Sequence, residues 1–159
     1  RTVLWGDATS VQDIGGARAI VGDLVAHDDD FITDYVDDNL AFVSGTFEIA
    51  FDPATSGDTA FAFDALVSVG ASLTIVTDSF SSLSFASLER VGTGIDLSDN
   101  AGLASISFPS LRTMSPASDF AVANDPALSC DAIAAVYCGL DVQGTPVVDA
   151  SCTAIVPGC

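Results

Sequence analysis

Lysine is absent from this chain, and its only cationic side chains are four arginines, with a single histidine beside them. Against them stand 22 acids, 20 of them Asp, for a formal net charge of −18 over 159 residues. Nucleic acid is excluded as a partner, because binding its phosphates needs clustered Lys and Arg. An anionic membrane surface is disfavoured for the same reason. Mean hydropathy is high at +0.49, yet no run of 18 apolar residues occurs, so no helical membrane insertion is expected. No basic leader followed by an apolar stretch opens the sequence, so a signal peptide would already have been removed, with Arg1 as the mature N-terminus.

Catalytic signatures are missing too. The chain has no G-x-S-x-G, H-E-x-x-H or P-loop pattern. A triad on His27 would need Ser44, Ser68 or Ser98 as nucleophile, and none has the context of a strained elbow. Asp37 and Asp38 are a carboxylate pair of the kind that serves glycoside hydrolysis, but such enzymes on β-helices carry longer chains and a carboxylate-lined cleft. The expectation is no enzyme and no catalytic residue.

What is present is a degenerate repeat of about 23 residues. Apolar anchors fall at Ile20, Val43, Val69, Val91 and Met114, in steps of 23, 26, 22 and 23. Three residues before each anchor stands Ala17, Leu40, Leu66, Leu88 or Leu111. Four and six residues after it come Leu24/Ala26, Phe47/Ile49, Leu73/Ile75 and Ile95/Leu97, and in the last coil the pair slips to Phe120/Val122. The i, i+2 spacing is that of a strand with one buried face. Asp29, Asp52, Asp78, Asn100 and Asp125 follow the strands at places suited to corners, since short acceptor side chains bond nearby backbone N–H groups. Repeats of this length predict a solenoid whose coils bury one another's apolar faces. The expected fold is mainly β, a right-handed parallel β-solenoid forming a single domain over 1–159. Coils fill 1–128 and a cysteine-containing cap fills 129–159.

The run from Leu88 to Leu111, with Val91, Gly94, Ile95, Leu97, Asn100, Leu103, Ile106, Phe108 and Pro109, resembles the receptor L-domain type of leucine-rich-repeat-like solenoid. The likeness is good over 61–128, looser over 17–60 and absent after Cys130. The resemblance implies an extracellular or cell-surface module that recognises a protein or a glycan.

Four cysteines, Cys130, Cys138, Cys152 and Cys159, crowd the C-terminal segment. An even count without C-x-x-C predicts two disulfides and a secreted, oxidising setting. Asp131–Tyr137 reads as a short helix stopped by Gly139. Across such a helix the Cα atoms of Cys130 and Cys138 stand about 12 Å apart. A bridge needs less than about 7 Å. Two pairings remain: 138–152 with 130–159, or 130–152 with 138–159.

Asp28, Asp29 and Asp30 form a run at a predicted corner and are the candidate metal ligands, with calcium as the ion. No EF-hand or β-roll calcium motif accompanies them, and no other cofactor is indicated. At the other end Val3, Leu4 and Trp5 read as an extended apolar segment without a capping helix. Such a segment can extend a neighbour's sheet by β-augmentation. The expected function is therefore a non-enzymatic structural subunit that assembles with itself head-to-tail into a filament or surface layer. An adhesion module with exposed aromatics, for which Tyr35, Phe51, Phe61 and Phe80 are candidates, is the alternative.

Overall fold

A computed structural model describes residues 3–5, 16–27, 35–36, 38–51, 59–77, 80–115, 119–140, 146–149 and 152. Strand β1 (Val3–Trp5) comes first. One coil then holds β2 (Ala19–Val21), β3 (Leu24–His27) and β4 (Tyr35–Val36). The next holds β5 (Phe42–Val43), β6 (Phe47–Phe51) and β7 (Thr59–Ala62), and a third holds β8 (Ser68–Val69), β9 (Ser72–Thr77) and β10 (Phe80–Ser84). A fourth holds β11 (Arg90–Val91), β12 (Gly94–Asp96) and β13 (Ser105–Ser107). The last turn has β14 (Thr113–Met114) and β15 (Asp119–Val122), then helix α1 (Cys130–Tyr137) where a third strand would stand, and finally β16 (Val147–Val148).

These elements stack as a parallel β-solenoid with three flanks. Sheet A runs β1-β2-β5-β8-β11-β14, sheet B runs β3-β6-β9-β12-β15-β16, and sheet C runs β4-β7-β10-β13. The predicted anchors share one column: Ile20 lies beside Val43, then Val69, Val91 and Met114. The 26-residue coil keeps this register because its added length falls between strands and leaves the paired residues aligned.

Alternation within the strands sets the core. In β9, Leu73, Ile75 and Thr77 are buried while Ser72, Thr74 and Val76 are partly exposed. Inside, Phe47, Phe61, Phe63, Phe80, Phe85 and Phe108 join the aliphatic columns. Phe85 stacks on Phe108 with ring centroids 5.2 Å apart and an interplanar angle of 7°. Like residues on successive coils therefore lie face to face, a packing worth about 0.5–1.5 kcal/mol per pair beyond burial. Phe61 and Phe80, two of the aromatics considered for a binding face, belong to this core at 1% exposure. Their strands turn them inward to fill the wide interior behind sheet C. Tyr35 and Phe51 lie within β4 and β6, and their side chains are outside the description.

The corner between sheets A and B is too tight for a side chain at Gly45, Gly70 and Gly92, most of all at the last two. A Cβ on Gly70 would sit 2.0 Å from the Ser44 carbonyl oxygen, and one on Gly92 would sit 1.9 Å from the Gly70 carbonyl oxygen. Glycine is demanded here by coil-to-coil approach rather than by a left-handed backbone.

At the C-terminal end α1 begins at Cys130, one residue earlier than the sequence suggested, because Ser129 is its N-cap. The Ser129 hydroxyl accepts a hydrogen bond from the Ala132 N–H at 3.2 Å, filling one of the orphan donors of the first turn. Cys130 is bridged to Cys152, with Cα atoms 5.1 Å apart. This selects one of the two pairings left open by the sequence. Cys138 is disulfide-bonded as well, to a partner outside the described residues. Among those residues no helix is long and apolar enough to cross a membrane.

Candidate functional site

The three sheets do not end alike. Sheet A holds six strands and sheet B holds six, but sheet A starts one coil earlier, at β1, and stops one coil earlier, at β14. Sheet C holds four strands, and α1 lies against the last of them, β13. A helix is about 10 Å across, roughly two strand spacings of about 4.8 Å. Among the described residues all three flanks are thus six layers high, with sheet A displaced by one layer. At one end β1 projects. At the other, no strand follows β14 among the described residues, which leaves a notch there beside β16 and α1.

Backbone hydrogen bonds follow this stacking. Along sheet A, Ala41 N–H bonds to Arg18 C=O, Val67 to Ala41, Glu89 to Val67 and Arg112 to Glu89, at 2.9–3.2 Å. Each N–H points to the coil before and each C=O to the coil after. Among the described residues the Arg112 carbonyl ends this column. Within the strands N–H and C=O groups alternate in direction, so the outer edge of β1 and the free edge of β14 both offer donors and acceptors.

The sequence-predicted assembly residues Val3, Leu4 and Trp5 constitute β1. Within one molecule they pair with Ala19, Ile20 and Val21 of β2, so this segment extends its own sheet and presents a further strand edge. The proposed calcium ligands Asp28, Asp29 and Asp30 lie outside the described residues. Among the residues that are described, no group of three or more His, Cys, Asp or Glu is placed to hold a metal ion. Of the serines weighed as nucleophiles, Ser44 has its hydroxyl oxygen engaged by the Gly22 N–H at 3.0 Å.

Two corner ladders run beneath the notch end. In the inner one, the Asn100 side-chain oxygen accepts from Thr77 N–H and Asp125 Oδ1 accepts from Asn100 N–H, both at 2.7 Å. Asn100 Nδ2 also donates to the Ile75 carbonyl at 3.0 Å and to that of Leu97. The third coil thus meets this ladder through the Thr77 N–H, and Asp78, read from the sequence as its corner, lies outside the described residues. In the outer ladder, Asn124 donates to Asp99 at 2.8 Å and its N–H bonds to Asp149 at 2.9 Å. Asp99 and Asn124 have φ of 65° and 62°, a left-handed conformation that short polar side chains tolerate.

Asp125 marks the end of the inner ladder. It is 1% exposed, and its Oδ2 has no hydrogen-bond partner. Burial raises its pKa to about 6, against the lowering effect of the Asn100 hydrogen bonds, and the charges of Asp149 and Asp99 push the same way as burial. Where Asn100 gives and accepts, the carboxylate can only accept, so its second oxygen is left stranded.

The outer surfaces are segregated by charge. On sheet A, Arg18, Arg90 and Arg112 are exposed, along with Phe42 at 40% and Val67 at 39%. Three of the four cations of a −18 chain therefore share one flank. Glu89, Arg90, Ser110, Arg112 and Thr113 line a groove of about 350 Å³ there. Across the Gly92–Thr93 corner, sheet B carries a groove of about 320 Å³ with Asp96, Asp119, Ser72, Thr74 and Val147 in its wall. Sequence reasoning followed the buried columns and passed over this patch. The same register finds it: Arg18 and Arg112 stand two residues before their anchors and Arg90 one before its own.

No protein-family model, no curated protein and no solved structure matches this chain.

Proposed function

We propose that this protein is a non-enzymatic extracellular structural subunit that polymerises head-to-tail. The observation that carries the reading is the one-layer displacement of sheet A between flanks of equal height. When a second copy is placed above the first, its β1 enters the notch over β14, its β3 meets β16, and its β4 rests on α1. Both edges of a parallel strand offer alternating N–H and C=O groups, so β1 pairs over β14 as successive strands of sheet A pair with each other. Such a contact is heterologous and does not close, so it propagates as a filament. Unpaired strand edges drive it, as they do wherever a sheet is left open. The disulfides of the cap fit an oxidising setting outside the cell.

Six layers at about 4.8 Å give a subunit rise of about 29 Å. Electron microscopy of the protein in physiological salt is expected to show filaments with that axial repeat. Deleting residues 1–6 empties the notch and is expected to leave folded monomers. Monodisperse full-length monomers at high concentration, or filaments that survive the deletion with the same rise, would sink the proposal.

A further inference from the structure

We propose that a second copy of the chain docks sideways, seating the basic groove of sheet A on the acidic groove of sheet B. The interface is distinct from the head-to-tail contact and rests on that reading only for the layer the two would build together. Its partner is identified by charge complementarity between two surfaces of the same molecule. The sheet A groove presents Arg90 and Arg112 with the hydroxyls of Ser110 and Thr113, and with one carboxylate, Glu89, for a net charge of +1. The sheet B groove presents Asp96 and Asp119 with Ser72 and Thr74.

Spacing supports the match. Thr113 lies beside Arg90 across β11 and β14, and Asp119 lies beside Gly94 across β12 and β15. Arg90 and Arg112 are thus one layer apart and one residue out of line, and Asp96 and Asp119 are one layer apart and two residues out of line, a difference that the long arginine side chains have to span. Both pairs span the same fourth and fifth layers. Two grooves with equal vertical spacing can form two Arg–carboxylate contacts at once, each a charge-assisted hydrogen bond with fork geometry. Among the described residues none of the three sheet A guanidiniums joins an ion pair within its own chain, and the one internal bond of the groove arginines is that from Arg112 Nη1 to the Leu111 carbonyl at 3.0 Å. Apolar surface borders the charged layers, with Val67 one layer and Phe42 two layers before Arg90 on sheet A, and Val147, 56% exposed, one layer beyond Asp119 on sheet B.

The contact joins unlike surfaces, so every row keeps one basic and one acidic groove for the next copy. Rows across the solenoid axis and filaments along it together make a sheet one molecule thick. Net charge gives the lateral contact a characteristic salt response. Copies of charge −18 repel at low ionic strength, where the Debye length is long. At high salt the groove-to-groove pairs are screened. Association is therefore strongest between these limits.

The test uses the full chain and three proteins: wild type, Arg90→Glu/Arg112→Glu, and Asp96→Arg/Asp119→Arg. All four side chains are exposed, so circular dichroism melts are expected to superimpose. Sedimentation velocity across a salt series, with electron microscopy of the same samples, reads the outcome. Wild type is expected to associate laterally with a maximum at intermediate salt. Each double variant alone is expected to lose about tenfold or more in lateral association and to show single filaments. Mixing the two variants restores side-by-side rows, because the acidic groove of one then faces the basic groove of the other.

Lateral association unchanged by charge reversal would overturn the proposal. So would single filaments of wild type at every salt concentration. Binding of polygalacturonate to wild type, lost in the arginine variant while self-association is unaltered, would assign the groove to an anionic glycan instead. If no filaments form yet oligomers respond to salt and charge reversal as described, the head-to-tail reading fails and the lateral contact stands.

Discussion

The middle of the stack and its C-terminal end satisfy the same backbone by different means. Between β8 and β13, each coil has a neighbour above and below, and identical columns of Val, Leu, Phe and Gly repeat from layer to layer. At the end, one sheet stops at β14, one gains β16, and one is covered by α1. The cap is held by a disulfide where the middle is held by register. A solenoid thus deals with its exposed edges sheet by sheet. The sheet with no cap is the one whose opposite end projects.

The contrast can be broken first in the middle. Gly92→Ala places a methyl group within 1.9 Å of the Gly70 carbonyl oxygen. Backbone on both coils must separate, and the expected loss is about 3 kcal/mol or more. Chemical denaturation measures it, and a loss below about 1 kcal/mol would show that the corner is looser than its geometry.

A smaller effect is expected at the cap. Removing the Cys130–Cys152 bridge, with its sequence separation of 22, by a double change to Ser releases about 3 kcal/mol of loop-closure entropy to the unfolded chain. Because α1 covers β13, hydrogen exchange is expected to quicken in α1 and β16 while β8 to β12 stay protected. Uniform loss of protection would mean that cap and middle unfold as one unit.

The junction of the two regions responds to pH. Asp125 has its pKa raised from 3.8 to about 6 by burial. A raised carboxyl pKa means that the folded state holds the proton more tightly than the unfolded one. Its stabilising contribution is fully present below pH 3.8 and is lost as pH rises through about 6. Two pKa units correspond to roughly 3 kcal/mol at most. Asp125→Asn keeps an acceptor for Asn100 N–H and replaces the stranded oxygen with a donor. The variant is expected to be more stable than wild type at pH 7.5 and to lose that advantage near pH 4.5 in urea melts. A gap that does not change with pH would contradict the assignment.

Much of this architecture was readable in the chain because burial in a solenoid is periodic. Ile20, Val43, Val69, Val91 and Met114 form one column as their spacing implied, and Phe120 and Val122 take the slipped pair of the last coil. Phe61 and Phe80 were ambiguous, because an aromatic side chain in a strand serves a core or a binding face equally well until the third sheet fixes which side is inside. Asp78, read as the corner of the third coil, lies outside the described residues, and the bond seen there is from the Thr77 N–H to Asn100. The Asn ladder ends on an acid, and only burial reveals the consequence of that exchange.

The groove surfaces were less legible. Arg18, Arg90 and Arg112 are separated by 72 and 22 residues in sequence. They come together because coils bring equivalent positions within a layer or a few layers of each other. The sequence by itself determined the solenoid, its period, its apolar columns and the narrowing of the cysteines to two pairings, since each follows from local spacing and chain geometry. The tertiary structure alone decided that Val3–Trp5 adds a strand to its own sheet. It alone set sheet A one layer out of step with its neighbours and divided basic from acidic flanks. Those features depend on where each sheet stops, which strand pairing across distant coils decides.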